Sequence, residues 1–410
     1  MIRSMYSGIA GLKNFQTKLD VIGNNIANVN TYGFKKGRVT FKEAMTQTIQ
    51  GASAAQEGRG GTNPLQIGLG STTATIDSVQ TQASLQTTGR SLDLSINGDG
   101  FFVVQGPGGQ NFYTRGGNFY LDQGGQMVTG EGYRVQQFQN GVVNDVVINS
   151  GAVMPAQQTE NITFSGNLSS SVSYSADNPY TYTQQMKIVD DAGEEHVFQI
   201  EMSPGGGGTN AWNVTATNFA IDDEDGTVEN QSTGVITFNA EGVAEWTTPL
   251  NSLRIIQGGA PMDYFGAGTP NLQGLTNNVG EVTAMIGADG NIDGSLESFN
   301  IGAAGEINGV YSNGQITPLG TLGLARFNNP SGLVKVGNNL FQESVNSGVA
   351  NIGTAAAGGG SISAGTLEMS NVDLSEEFTE MITAQRGFQA NTRIITTSDQ
   401  ILEELVNLKR

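Results

Sequence analysis

Leu19-Asp20-Val21-Ile22-Gly23-Asn24-Asn25-Ile26-Ala27-Asn28-Val29-Asn30-Thr31-Tyr32-Gly33-Phe34-Lys35 closes one of two apolar-periodic ends, and those ends decide the architecture of this chain. Upstream of it, Ile2, Met5, Ile9, Leu12, Leu19 and Ile26 fall on one stripe spaced by threes and fours, which Phe15 and Ile22 widen. That spacing predicts an amphipathic helix with heptad character. At the far end, Asn371 or Asp373 can cap a second helix. Leu374, Phe378, Met381, Ile382, Phe388, Ile394, Ile395, Ile401, Leu402, Leu405 and Val406 then recur at helical spacing. Two such helices can pair, antiparallel or side by side, but a two-helix unit leaves apolar surface uncovered. At roughly 25 cal/mol per Å² that surface favours association with further copies of the chain.

Between the ends the pattern changes to β. Phe101-Phe102-Val103-Val104 is a short apolar strand entered through Asn97-Gly98-Asp99-Gly100, and Phe112 to Arg115 and Gly117 to Leu121 follow as hairpin strands. A second β section opens near Tyr180, with Tyr180 to Val189 and His196 to Met202 joined by the turn Asp190-Asp191-Ala192-Gly193. Two stretches, Gln50 to Pro64 and Thr354 to Gly365, are rich in small residues and predict linkers, the second a hinge before the last helix. The expected fold is multidomain and mainly β with an α-helical terminal domain. Residues 1–30 and 366–410 form a coiled-coil-like inner domain, and 31–75 a linker and β segment. Nested β domains follow: a middle one from 76–154 and 281–365, and an outer one from 155–280.

Composition removes whole classes of function. The formal charge of −19 argues against nucleic acid, whose binding rests on Lys and Arg neutralising phosphates, and disfavours an anionic membrane surface. With no cysteine there are no disulfides, thiolate metal sites or cysteine nucleophiles. Met1 to Gln16 lacks the continuous apolar core of a secretory signal peptide, and no run approaches the roughly 18 apolar residues of a membrane span.

Candidate chemistry is sparse. His196 is the only histidine and reads as a surface residue of a strand. Asp289-Gly290-Asn291-Ile292-Asp293-Gly294 matches the first half of a calcium loop, but position twelve is Asn300 rather than Glu, so a Gly-rich turn is expected. Asp222-Asp223-Glu224-Asp225-Gly226 reads as a solvated loop tip. No nucleophile elbow, phosphate loop or dinucleotide fingerprint follows a strand. The chain is expected to be neither an enzyme nor a cofactor binder.

The quoted N-terminal stretch resembles the signature of the flagellar rod and hook protein family, carried here by Asn24, Asn25, Ala27, Asn28, Gly33 and Phe34. Leu367 to Leu374, with Asn371 and Asp373, is similar to that family's C-terminal entry, and Met381 to Asn391, with Gln385 and Arg386, to its following helix. Gly100-Phe101-Phe102 and Tyr113 to Phe119 resemble its middle β domain. Within the family, the large insertion and Met186 to Met202 resemble the hook branch more than the distal rod proteins, which are expected to be shorter.

The resemblance implies a self-polymerising subunit exported by the flagellar type III apparatus and placed outside the cell in a curved, flexible tube. That tube is a universal joint carrying motor torque. Implied partners are the hook cap protein, the distal rod protein and the hook–filament junction proteins. The competing readings are a distal rod subunit, with a straight stiff polymer, and a secreted β-rich adhesin, which needs no apolar end helices.

Overall fold

A computed structural model describes residues 2–54, 60–149, 151–172, 180–190, 192–205, 210–218, 231–239, 242–250, 254–257, 260–263, 270–358 and 360–408, with only the backbone at 2, 3, 218, 254–257, 260–263, 358 and 405. The chain divides into two compact units. Unit 1 comprises Met1–Asn149, Phe299–Gly309 and Thr317–Arg410; unit 2 comprises Ser150–Ser298 and Val310–Ile316.

Both end helices form, Ile2–Ala27 and Leu374–Asn407. Of the two candidate caps, Asp373 takes the role: its side chain accepts from the backbone N–H of Ser375 and Glu376. Exposed Glu376 in the first turn adds negative charge where the helix dipole favours it. No described helix is long and apolar enough to cross a membrane.

In unit 1, Gly37–Glu43 pairs antiparallel with Ser71–Ser78, and Thr46–Gln50 with Leu65–Gly68. The pairing reaches into the expected linker, where Ser53 and Thr62 exchange both backbone hydrogen bonds at 3.1 Å. Aperiodic polar sequence hid this, because backbone pairing needs no apolar stripe. The expected hinge at Thr354–Gly365 is likewise built in: Ser361–Ala364 pairs with Leu94–Asn97, and Ile362 is buried. Among the described residues, ten strands form the main sheet around Phe101–Gln105, which pairs with Asn111–Thr114, Arg134–Gln139 and Leu324–Arg326. Phe101 packs with Tyr113 and Phe341, whereas Phe102 meets Phe119 edge-on at 5.2 Å. Adjacent residues point to opposite faces, so this strand is buried on both.

Unit 2 contains an antiparallel meander of Tyr182–Val189, Glu195–Pro204, Ala211–Asn218, Gln231–Phe238 and Ala244–Thr248. A three-stranded sheet of Asn271–Thr276, Ile162–Asn167 and Met285–Ala288 shares its core. Alternation of buried with exposed or half-buried residues along Gln231–Phe238 places one face on that core, which includes Trp212, Phe198 and Phe164.

Candidate functional site

The end helices pair antiparallel, and small residues make the seam. Gly8 lies against Ile395, Gly11 opposite Asn391, and Gly387 opposite the Phe15 ring, while Ala384 is fully enclosed. Without a Cβ at these positions the two backbones approach closely. Lys18 Nζ reaches Glu380 Oε2 at 3.2 Å, and Asn25 Nδ2 donates to Glu377 Oε2 at 3.2 Å, continuing the same register.

That seam sorts the apolar stripe. Ile22 is buried, and Met5, Leu12, Leu19, Ile26, Met381, Ile395 and Leu402 are half-buried. Ile9 (48% exposed), Phe378 (49%) and Ile382 (58%) face outward, as do Leu374 and Phe388. The side chains of Ile2 and Leu405 lie outside the described residues. Glycines take the points of closest approach, while Ile9, Phe378 and Ile382 stay on the outside.

The motif residues tie this helix pair to the β body. The carboxamide of buried Asn25 accepts from Gly37 N and donates to Gly37 O, both at 2.9 Å, as a strand neighbour would. Asn28 bridges back to Asn24 O at 2.9 Å and accepts from the Thr31 hydroxyl, folding the chain past the helix end; Asn24 and Ala27 are exposed. Gly33 has φ +69° and its N–H donates to Glu368 O at 2.8 Å; a Cβ there would strike the Arg115–Gly116 peptide, so glycine is required twice over. Phe34 is buried beneath the Lys335 ammonium, 5.1 Å from its ring centre. Asn371 does not cap a helix. It accepts from Lys36 N at 2.7 Å and donates to Val79 O at 2.9 Å, fastening the entry to the last helix beside the Gly37–Glu43/Ser71–Ser78 strand pair. Gln385 and Arg386 are exposed.

Beneath this junction lies a buried charge cluster that the sequence reading passed over. Lys35 Nζ donates to Glu368 Oε1 at 2.7 Å and to Thr81 O at 2.8 Å, while Arg115 bonds Glu368 Oε2 at 3.2 Å and Gly98 O at 2.8 Å. Ala83 N also donates to Glu368 Oε1, at 3.0 Å. Burial pulls the Lys35 ammonium below its ordinary pKa; Glu368 opposes this and Arg115 adds to it. No local signal singles them out: Lys35 stands beside Lys36, and Glu368 shares its motif with Ser370, Asn371 and Asp373.

Glu377 is the strained member of the helix root. Burial pushes its carboxyl above the ordinary range, against the Asn25 hydrogen bond and the Lys36 charge, with Glu380 and Glu376 adding repulsion. A carboxyl held above its unfolded pKa contributes most to stability below pH about 4.5 and loses that contribution as pH rises through its folded value. Glu377→Gln is therefore expected to stabilise the protein at pH 7 by up to about 1 kcal/mol, with the gain vanishing near pH 4. Thermal melts at the two pH values measure it; an equal gain at both would refute the protonation account.

One other candidate differs from expectation. His196 is not a surface histidine: its side chain is only 13% exposed, and Nε2 lies 3.2 Å from Oδ2 of buried Asp190. Asp289 spends its carboxylate on structure, accepting from Glu160 N and Asn161 N at 2.9 Å and from Asn161 Nδ2 at 2.8 Å. The run Asp222–Gly226 lies outside the described residues.

Three family models match in chain order. They are described as flagella basal body rod protein (residues 5–35), flagellar hook protein FlgE/F/G D1 domain (95–230) and flagellar basal body rod FlgEFG protein C-terminal (363–408). The flagellar hook proteins FlgE of Treponema pallidum and Borreliella burgdorferi are 37% and 39% identical to this chain, each alignment covering all of both proteins. The flagellar basal-body rod protein FlgG of Bacillus subtilis is 37% identical, again over the whole of both. The expectation that rod relatives are shorter fails for that protein. The crystal structure of Helicobacter pylori flagellar hook protein FlgE2 has a similar fold, with TM-score 0.51 and 15% identity over 69% of this chain and 100% of that one.

Proposed function

This chain belongs to the flagellar hook protein family, and on that premise we propose that it is a structural subunit of the flagellar hook whose end helices carry the contacts between copies. The observation carrying this reading is the outward display of Ile9, Phe378 and Ile382 on helices already paired through their glycine seam. Residues that cannot turn inward are covered by neighbours. In this reading residues 1–30 and 366–410 form the inner tube around the export channel, and the β domains, 76–154 with 281–365 and 155–280, stack outward. The role is structural rather than enzymatic. The polymer bends as it rotates, because polar, glycine-rich outer surfaces slide at small energetic cost. Below it stands the distal rod protein, above it the junction proteins, with the hook cap at the growing end and the type III apparatus supplying subunits.

Purified full-length chain under assembly conditions is expected to form curved tubes in electron micrographs. Replacing Phe378 and Ile382 by Asp is expected to leave circular dichroism unchanged and to abolish tubes at any concentration reached by wild type. Tubes from the double variant would sink the assignment of these residues. Straight, stiff polymers from wild type would favour the rod reading, which the FlgG relative supports.

A further inference from the structure

Among the described residues, one set of three side chains brings metal-ligating atoms together: those of Asp190, Glu194 and His196 all lie within 4.8 Å of one another. They share one hairpin of unit 2, where Tyr182–Val189 turns back into Glu195–Pro204. The turn is braced internally, with Asp190 N donating to Glu194 O at 3.1 Å and Gly193 N to Asp190 O at 3.2 Å. It is also clamped from outside. Val189 N donates to Thr159 Oγ1 at 2.9 Å, Thr159 N donates to Val189 O at 3.0 Å, and Gly193 abuts Ala156. The ligand atoms are therefore held in place by the fold before any ion arrives.

The chemistry of the set is specific. Asp190 is only 1% exposed; Oδ1 accepts from Glu194 N at 2.7 Å, and Oδ2 faces His196 Nε2 at 3.2 Å. Neighbouring ligands of a tetrahedral zinc ion, with bonds of about 2.0–2.2 Å, stand about 3.4 Å apart, so this pair already has the required spacing. Glu194 is exposed, and its carboxylate already lies within 4.8 Å of the other two ligand atoms. The nearby ion pair Lys187–Glu195, at 2.9 Å, keeps a competing cation engaged elsewhere on the hairpin.

We propose that Asp190, Glu194 and His196 form a three-ligand site for a zinc ion, with a fourth position open to water. One imidazole and two carboxylates suit Zn²⁺ better than Mg²⁺ or Ca²⁺, which take oxygen ligands alone. Occupancy staples the hairpin and stabilises unit 2 by an amount that grows with the logarithm of free zinc above the dissociation constant. The site is independent of the assembly reading.

The chain has a single histidine, so histidine-labelled full-length protein gives one imidazole resonance. At pH 7.5 that resonance is expected to shift to saturation with one equivalent of ZnCl₂ and to ignore MgCl₂. Asp190→Asn and Glu194→Gln are each expected to weaken binding by at least about tenfold with unchanged circular dichroism. Should Asp190→Asn fail to fold, the exposed Glu194→Gln carries the test. An unmoved resonance at several equivalents, or Glu194→Gln binding zinc as wild type does, overturns the proposal.

Discussion

Glu368→Ala is expected to destabilise unit 1 by about 3–5 kcal/mol, the range for removing one partner of a buried ion pair. The Lys35 and Glu368 side chains are 0% exposed and Arg115 only 4%, so the variant strands two cations in a closed site and leaves Ala83 N–H without its acceptor. Water cannot compensate either charge there. Glu368→Gln keeps shape and an acceptor but not charge, and should fall between wild type and Ala. Lys35→Met, which leaves a one-to-one Arg115–Glu368 pair, should cost only about 1–2 kcal/mol. Both tryptophans, Trp212 and Trp246, lie in unit 2, so their fluorescence follows that unit while hydrogen exchange over 94–119 and 361–368 follows unit 1. Loss of exchange protection in unit 1 with an unchanged fluorescence transition is the expected pattern. Equal losses for Lys35→Met and Glu368→Ala would show that the cluster is packing rather than charge.

Gly117→Ala is expected to destabilise unit 1 by more than about 3 kcal/mol, beyond the usual 1–3 kcal/mol of core overpacking. Gly116→Ala, one residue earlier, should be nearly silent. A Cβ on Gly117 would land on the carbonyl oxygen of Leu94, whose N–H donates to Gly117 O at 2.9 Å; backbone meets backbone, and no rotamer relieves it. A Cβ on Gly116 meets Thr114 Oγ1 at 3.4 Å, an ordinary contact. Urea denaturation of the two variants decides it. Similar midpoints would mean that the Leu94–Gly117 bridge yields more readily than its hydrogen bond implies.

The strand at Phe101–Gln105 and the hairpin of Tyr182–Val189 with Glu195–Pro204 are legible, because alternation and a Gly-containing turn are local properties. The Ser53–Thr62 pairing and the docking of Ser361–Ala364 were not, because small polar residues pair through backbone atoms that every residue carries. The candidate assembly residues divide likewise. Their helices could be read from spacing, but the exposure of Ile382 against the burial of Ile22 could not. Both are isoleucines on amphipathic helices, and only the position of the glycine seam separates them.

The order of amino acids alone determined two end helices, a β-rich interior and membership in a lineage of polymerising proteins, since helical period, turn residues and motifs are written in consecutive positions. Tertiary structure decided which apolar groups stay exposed, where Lys35, Arg115 and Glu368 meet across 253 and 333 residues of chain, and how a solitary histidine comes to face a buried carboxylate. Such encounters depend on how distant segments pack and exclude water, which no local pattern encodes.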